Sequence, residues 1–178
     1  MKHLLLLMMM VLWIGGLQSQ QVWYPYEKHM DPVDSIQLSK LPKLPIPDQY
    51  KGADSKNLPD YHDNSLHPYF RPIFSQYGWS CGQASAIGYS FTYDLNRVRN
   101  TSAQEEDNQY PPLFSFNFFN RGQDGVGVSY LYTLDAIKHN GNPNVTDYGG
   151  MGESLTDWVD GYEKYYNGMF NRVEEVYA

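Results

Sequence analysis

Hydrophobic residues recur every three or four positions after residue 80, a spacing that predicts a helix with one buried face. The pattern begins at Cys81 and continues to about Arg99. Its apolar positions are Ala84, Ile87, Phe91, Leu95 and Val98. The sequence therefore predicts a helix over residues 81–99, with the single cysteine of the chain in its first turn.

Two further helical patterns follow this one. The first is expected to end at Gly141, because glycine is a common residue just after a helix. Its apolar positions are Leu131, Leu134 and Ile137. The second is expected to begin at Ser154, whose hydroxyl can cap the helix while Asp157 reaches back. Its apolar side is Trp158, Tyr162, Tyr165 and Met169.

The N-terminus has a basic start and one unbroken apolar run, Met1 to Ile14. This run is too short to span a bilayer comfortably, and the small and polar residues after it are typical of a cleavage region. We predict a signal peptide over residues 1–19 and a secreted product, periplasmic or extracellular, without stable membrane insertion. A membrane anchor is the alternative that this pattern leaves open.

Residues 20–57 are polar and interrupted by prolines, so we interpret them as a flexible linker or a short pro-segment. Pro42, Pro45 and Pro47 favour an extended, polyproline-like path and break any helix there. Residues 58–178 form the predicted domain. The apolar residues after residue 171 leave a pattern incomplete, which indicates that this domain is truncated.

The net charge of −7 and a pI near 5.1 argue against nucleic-acid binding, because affinity for phosphates comes from Lys and Arg. His62 and His67 are near each other in the sequence, but nothing around them supplies a third metal ligand. We therefore predict surface histidines there, and neither a metal site nor a cofactor.

A single cysteine in an exported protein cannot form an internal disulfide. Cys81 is then a buried apolar residue, an intermolecular partner or a free reactive thiol, and its position favours the third. The unpaired N–H groups and the positive dipole end at a helix N-terminus both stabilise a thiolate. We therefore expect Cys81 to act as a nucleophile.

Gln76 lies a few residues before Ser80-Cys81, and Pro72 lies four residues before that glutamine. This segment resembles the active-site segment of papain-like cysteine peptidases. The continuation Gly82-Gln83-Ala84-Ser85 looks like a bacterial branch of the family.

The resemblance implies an α+β papain-like fold, of which this chain covers mainly the N-terminal helical lobe. Leu58-Pro59 with Asp63 is similar to the start of the mature enzyme, and the resemblance extends to about Gly141.

It also implies a secreted cysteine-type peptidase that hydrolyses peptide bonds in a peptide or protein substrate through a thiolate and an acyl-enzyme. Cys81 would be the nucleophile, and the Gln76 amide together with the Cys81 backbone N–H would bind the oxyanion. Gly127 would be a substrate-binding residue near the edge of the cleft, where the substrate backbone pairs.

The segment also departs from the family pattern. The family's first signature cysteine is missing, the aromatic residue Trp79 precedes the nucleophile, and Gln76 is one residue closer to Cys81. The family's general-base histidine and orienting asparagine come much later, so we expect them beyond Ala178 and expect this chain to be inactive. His139 is interpreted as a residue near a helix cap, where its cationic form is favoured, and not as a base.

Two other hypotheses remain open. The chain could be a non-catalytic secreted binding module that uses its 16% of aromatic residues for contacts, or an unrelated domain in which Cys81 is buried. Against the first, we interpret tyrosines at helical spacings, such as Tyr89, Tyr93 and Tyr162, as half-buried core residues. The sequence predicts neither substrate preference nor oligomeric state.

Overall fold

The computed structural model describes residues 32–45, 61–120 and 122–177. The predicted signal peptide, residues 1–19, lies outside these ranges, as does most of the predicted linker, residues 20–57.

Helices provide all the regular structure of the described residues. In chain order they are α1 (Pro32–Lys40), α2 (residues 81–99), α3 (Pro112–Asn120), α4 (Tyr130–Asn140), α5 (Val145–Tyr148) and α6 (Tyr162–Gly168). Single 3₁₀ turns occur at Asn64–Leu66 and Glu106–Asn108. Helix α2 has three consecutive segments, which are α-helical Cys81–Gln83, π-helical Ala84–Phe91 and α-helical Thr92–Arg99. Among the described helices, none has the length and apolar character needed to cross a bilayer.

The predicted α+β papain-like fold is wrong for this part of the chain. The described residues contain no strand and no sheet, and stretches without helix, such as 122–129 and 171–177, form no β-ladder. The long apolar runs are buried by helix packing instead. The helices predicted over 81–99 and up to Gly141 are confirmed as α2 and α4, and Gly141 follows the last residue of α4.

The core consists of two clusters. The aromatic core is centred on α3 and contains Leu113, Phe114, Phe116, Tyr148 and Val159. The second cluster joins α2 to α4 and contains Ile87, Phe91, Tyr110 and Ile137. Leu95, Leu134 and Val173 pack against this second cluster and are only partly buried.

Helix α2 buries only part of the predicted apolar face. Ala84, Ile87 and Phe91 are buried and Leu95 is half-buried, but Val98 is 74% exposed, so its predicted burial is wrong. The π-helical segment explains the difference. Its wider turns advance each residue less around the axis than an α-helical pattern assumes, so the last turn faces away from the core.

The loop before α2 is held against that helix by an aromatic ring. The Phe74 ring stacks on Tyr89 with a centroid distance of 5.1 Å and lies 4.3 Å below the Arg71 guanidinium carbon. It fits because Gly88 has no side chain, since a Cβ there would come within 2.5 Å of the Phe74 Cζ atom. Arg71 is buried, which lowers its pKa to about 10. These contacts fix the loop that carries Gln76.

The third predicted helix begins later than expected. The Asp157 carboxylate accepts from the N–H groups of Glu153 and Ser154, at 2.8 and 2.9 Å, and closes a turn instead of capping a helix. Gly161 then adopts a positive φ of 101°, and α6 begins at the next residue. The predicted start at Ser154 is therefore wrong, because the Asp157 carboxylate pairs with backbone N–H groups in a local turn as well as it would at a helix start.

Candidate active site

Cys81 is the first residue of α2, and its thiol is free and exposed. Its exposure contradicts the hypothesis that Cys81 is a buried structural residue. The preceding residue, Ser80, is buried and donates its hydroxyl to the Tyr77 carbonyl oxygen at 2.7 Å, so it makes no side-chain cap for the helix. The first N–H groups of a helix have no partner within that helix. The thiol therefore lies beside backbone N–H groups that do not donate to the Ser80 side chain.

Gln83 fixes the start of α2 against the glycine-containing segment 122–129. Its side chain is fully buried, and its amide donates to the Val128 carbonyl oxygen at 2.8 Å. Gly82 faces the first turn of α4, where a Cβ would make an ordinary contact with the Tyr130 Cβ at 3.5 Å. Gln83 was not among the predicted site residues, and its only signal in the sequence is a polar residue on the core-facing side of the cysteine's own turn.

Gln76, the predicted oxyanion donor, lies exposed in the loop before Cys81. Its side-chain amide donates to the Gly78 carbonyl oxygen at 3.3 Å, a long and solvent-exposed hydrogen bond. Among the described contacts, none joins Gln76 to Cys81. Gln76 therefore lies on the expected loop, but its amide is directed at the backbone of that loop.

Gly127, the predicted substrate-binding residue, lies over the same loop. A Cβ on Gly127 would be 3.9 Å from the Trp79 carbonyl oxygen, two residues before the cysteine. Gly127 is exposed and does not line the cleft described next. The structure thus brings Gly127 near the start of α2, on the side of Trp79.

A cleft of about 1040 Å³ opens beside Cys81. One side is the exposed face of α2, and the opposite side is the segment 172–177, which we call the C-terminal wall. Phe91, Leu95, Leu134 and Val173 provide apolar surface between them. The cleft is the outer edge of the second core cluster, so a ligand there would contact apolar side chains that are already held in place.

The C-terminal wall is attached at two points. At its start, the Asn171 carbonyl oxygen accepts from the Asn142 N–H at 2.9 Å, and its side-chain oxygen accepts from Arg99 at 2.8 Å. Further along, Glu175 accepts a 3.1 Å hydrogen bond from Lys138 of α4. This hydrogen bond, with the charge of Lys138, holds the pKa of Glu175 below its ordinary value. This wall was not predicted from the sequence.

The charged residues that line the cleft are mostly acidic: Asp94, Glu174 and Glu175, with Arg172 as the cation. No histidine lines it in the described part of the chain. His139 lies in the last turn of α4, and its Nδ1 atom is 2.9 Å from the Asp135 carbonyl oxygen. That position agrees with the interpretation of His139 as a residue near a helix cap.

The other candidate ligands form no metal centre in the described residues. The rings of His62 and His67 are 5.4 Å apart, but the described residues contain no group of three potential metal ligands.

The site thus combines an exposed thiol, helix N-terminal N–H groups and an apolar cleft with an acidic rim. Such a site can attack an electrophilic carbon and hold the apolar part of a substrate beside it. No protein-family model, curated protein or solved structure matches the chain.

Proposed function

We propose that this chain carries the nucleophilic part of a cysteine-type peptidase site, with Cys81 as the residue that becomes acylated. The Cys81 sulfur would form a bond to the substrate's carbonyl carbon, the C–N bond would break, and the amine would leave with a proton. Water would then release the acid from the thioester. The observation that carries the proposal is that the only thiol of the chain is exposed at a helix start and lines an apolar cleft.

The backbone supports the charge that develops in this reaction. A tetrahedral intermediate places a negative charge on the former carbonyl oxygen, which hydrogen-bond donors at about 3 Å stabilise. The N–H of Cys81 is one such donor, since it has no intrahelical partner. The Gln76 amide is the second proposed donor. It would have to exchange its 3.3 Å bond to Gly78 for the oxyanion, which costs little because that bond is long and exposed.

The cleft favours a peptide substrate with an apolar side chain near the bond that is cut. Leu95, Leu134 and Val173 offer apolar surface along α2, and Asp94 and Glu174 provide negative charge at the rim. A neutral or basic peptide would suit this rim better than an acidic one. We also propose that residues 1–19 act as a signal peptide that directs export of the chain, which remains a prediction from the sequence.

An activated ester tests this proposal without requiring a general acid. A p-nitrophenyl ester of a hydrophobic amino acid has a leaving group that departs without protonation, whereas an amine needs a proton. The expected result is a burst of one p-nitrophenol per chain and a mass increase of one acyl group. Cys81→Ser should abolish the burst.

Gln76 has a matched control in the exposed Gln123. Loss of one oxyanion donor costs on the order of 10²-fold in rate, so Gln76→Ala should slow acylation by roughly that factor. Gln123→Ala should leave the rate unchanged. Equal acylation rates for both variants would show that Gln76 is not an oxyanion donor. A burst that survives Cys81→Ser would contradict the whole proposal.

A second candidate, a non-catalytic binding module, is favoured by one specific observation. Tyr162 is 78% exposed, so its interpretation as a half-buried core residue is wrong, whereas Tyr89 and Tyr93 are indeed half-buried. Tyr162 is stacked on Tyr166, which is also exposed. A wild-type chain that shows no acylation would leave this binding surface as the better-supported function.

A further inference from the structure

Three exposed aromatic rings form a continuous row on α6 and the turn after it. We call Tyr162, Tyr166 and Phe170 the aromatic ladder, and they are 78%, 46% and 65% exposed. Tyr162 and Tyr166 are stacked with centroids 5.9 Å apart, and Tyr166 meets Phe170 edge to face at 5.2 Å. A continuous exposed apolar patch of this kind is typical of an interaction surface.

The ladder has the features that recognise a polyproline helix. Aromatic-lined grooves bind such helices because the ligand is already rigid and loses little entropy on binding. The backbone of a polyproline helix makes no internal hydrogen bonds, so its carbonyl groups can accept from a protein. The hydroxyls of Tyr162 and Tyr166 have no hydrogen-bond partner among the described contacts and could donate to them. Asp160 and Glu163 add exposed negative charge beside the rings.

The chain itself contains a segment with the complementary features, Leu41-Pro42-Lys43-Leu44-Pro45. The proline rings fix two φ angles, and the residue before each proline is restricted to extended conformations. The segment forms no helix, and all of it except the half-buried Leu41 is exposed. In a polyproline helix, Pro42 and Pro45 lie on one edge about 9 Å apart, a spacing that places them on either side of Tyr166, whose ring lies 5.9 and 5.2 Å from its two neighbours.

We propose that the aromatic ladder of one copy of this chain binds the segment 41–45 of a second copy. The two prolines would lie on either side of the Tyr166 ring, one toward Tyr162 and the other toward Phe170, and Lys43 would approach Glu163. Within one copy, both surfaces are exposed, so neither of them covers the other. Complementary surfaces on different parts of one chain join copies head to tail. This inference does not depend on the reactivity of Cys81.

A peptide with the sequence of residues 38–47 tests the contact directly. Labelled with a fluorophore and titrated with the purified chain, it should show saturable binding by anisotropy. Tyr166→Ala should weaken binding roughly tenfold or more, as expected for a central aromatic residue of an interface. A peptide with Pro42→Ala and Pro45→Ala should lose a similar factor, and Lys43→Glu a smaller one.

Tyr61→Ala is the control, because Tyr61 is as exposed as Tyr162 and more exposed than Tyr166 but lies outside the ladder. It should not change binding. Tyr162→Ala gives a second test of the ladder should Tyr166→Ala fail to fold. Peptide binding that is absent, or that is insensitive to both ladder substitutions, would overturn the proposal.

Sedimentation velocity then tests for the second copy. It is performed with Cys81→Ser, which removes any intermolecular disulfide. The sedimentation coefficient should rise with concentration, and Tyr166→Ala should abolish that rise. A peptide that binds while the chain stays monomeric at all concentrations would overturn self-association, and sedimentation that Tyr166→Ala leaves unchanged would do the same.

Discussion

The aromatic core around α3 and the C-terminal wall of the cleft are each stabilised by a different kind of contact. Phe114 and Phe116 are almost completely buried. In the same region, the Asn117 amide donates to the carbonyl oxygens of Ser154 and Asp157, at 3.2 and 2.9 Å. The C-terminal wall is instead partly exposed along its length and is attached through Asn171 and Glu175.

The aromatic core also contains a buried, hydrogen-bonded hydroxyl group. The Tyr148 hydroxyl donates to the Asp157 carbonyl oxygen at 3.1 Å, and burial raises the pKa of Tyr148, so the phenol stays neutral. The core that stabilises the fold is thus separate from the wall that borders the accessible cleft. Regions with few buried contacts open at a lower free-energy cost than the core does. We therefore expect the C-terminal wall to move independently of the aromatic core.

The largest effect should come from breaking the aromatic core. Phe114→Ala removes a ring that contacts Phe118, Tyr148 and Trp158, and it should lower the free energy of unfolding by about 3 to 5 kcal/mol. Urea denaturation followed by circular dichroism measures this loss. Phe119→Ala is the control, since that ring is exposed, and its cost should be below about 1 kcal/mol. Equal costs would contradict the assignment of this core.

A smaller effect is expected at the junction that carries the C-terminal wall. Gly141 has a φ of +72°, and a Cβ there would collide with the Gly168 carbonyl oxygen and lie 2.7 Å from the Met169 Cα. Backbone cannot rotate away as a side chain can, so Gly141→Ala should cost about 2 to 3 kcal/mol.

Gly125→Ala is the matched control for this substitution. Gly125 also has a positive φ, of 72°, but a Cβ there meets nothing within 4 Å. Its cost should therefore be limited to backbone strain, about 1 kcal/mol. Thermal unfolding of both variants measures the difference, and identical shifts would show that the close approach of Gly141 to Gly168 is unimportant.

The smallest effect concerns the pairing of Lys138 with Glu175. The pKa of Glu175 lies below its ordinary value of 4.5 because Lys138 hydrogen-bonds to it and attracts its charge. The pairing therefore stabilises the folded wall above pH 4.5 and is lost as the pH falls through the lowered pKa of Glu175. The Val176 amide, which hydrogen-bonds to this carboxylate, should report the titration in ¹H–¹⁵N spectra.

Lys138→Met provides the control for this titration. It should return the midpoint of the Val176 signal toward 4.5, because the hydrogen bond and the positive charge are both absent. A midpoint that does not move would mean that Lys138 does not hold the wall. Since both side chains are partly exposed, solvent screens their attraction and we expect little change in the unfolding free energy.

The sequence predicted the helices that have a regular apolar period and a clear end. Helix α4 was found because Leu131 and Ile137 lie on one face and Gly141 follows its last residue. The π-helical turns of α2 could not be predicted from the apolar spacing, because a spacing of three or four residues identifies the buried face only when the turns are α-helical. Val98 was wrongly predicted to be buried as a result. Tyr162 was misplaced because helical spacing does not reveal which face of a short helix is covered.

The candidate site was predictable only where its residues lie close together in the sequence. The position of Cys81 at a helix start follows from the pattern that comes after it. The C-terminal wall depends on Arg99 and Asn171, which lie 72 residues apart, and no spacing rule connects them. The α+β class came from a resemblance in one segment, which carries no information about strands elsewhere in the chain.

The central claim is that the folded cleft accelerates acylation of Cys81. The most direct measurement compares the rate at which a hydrophobic p-nitrophenyl ester acylates Cys81 in the folded chain and in the urea-unfolded chain, followed by intact mass. The account predicts a rate roughly 10²-fold or more higher in the folded chain, because backbone donors and the apolar cleft are present only there. Equal rates in both states would contradict it.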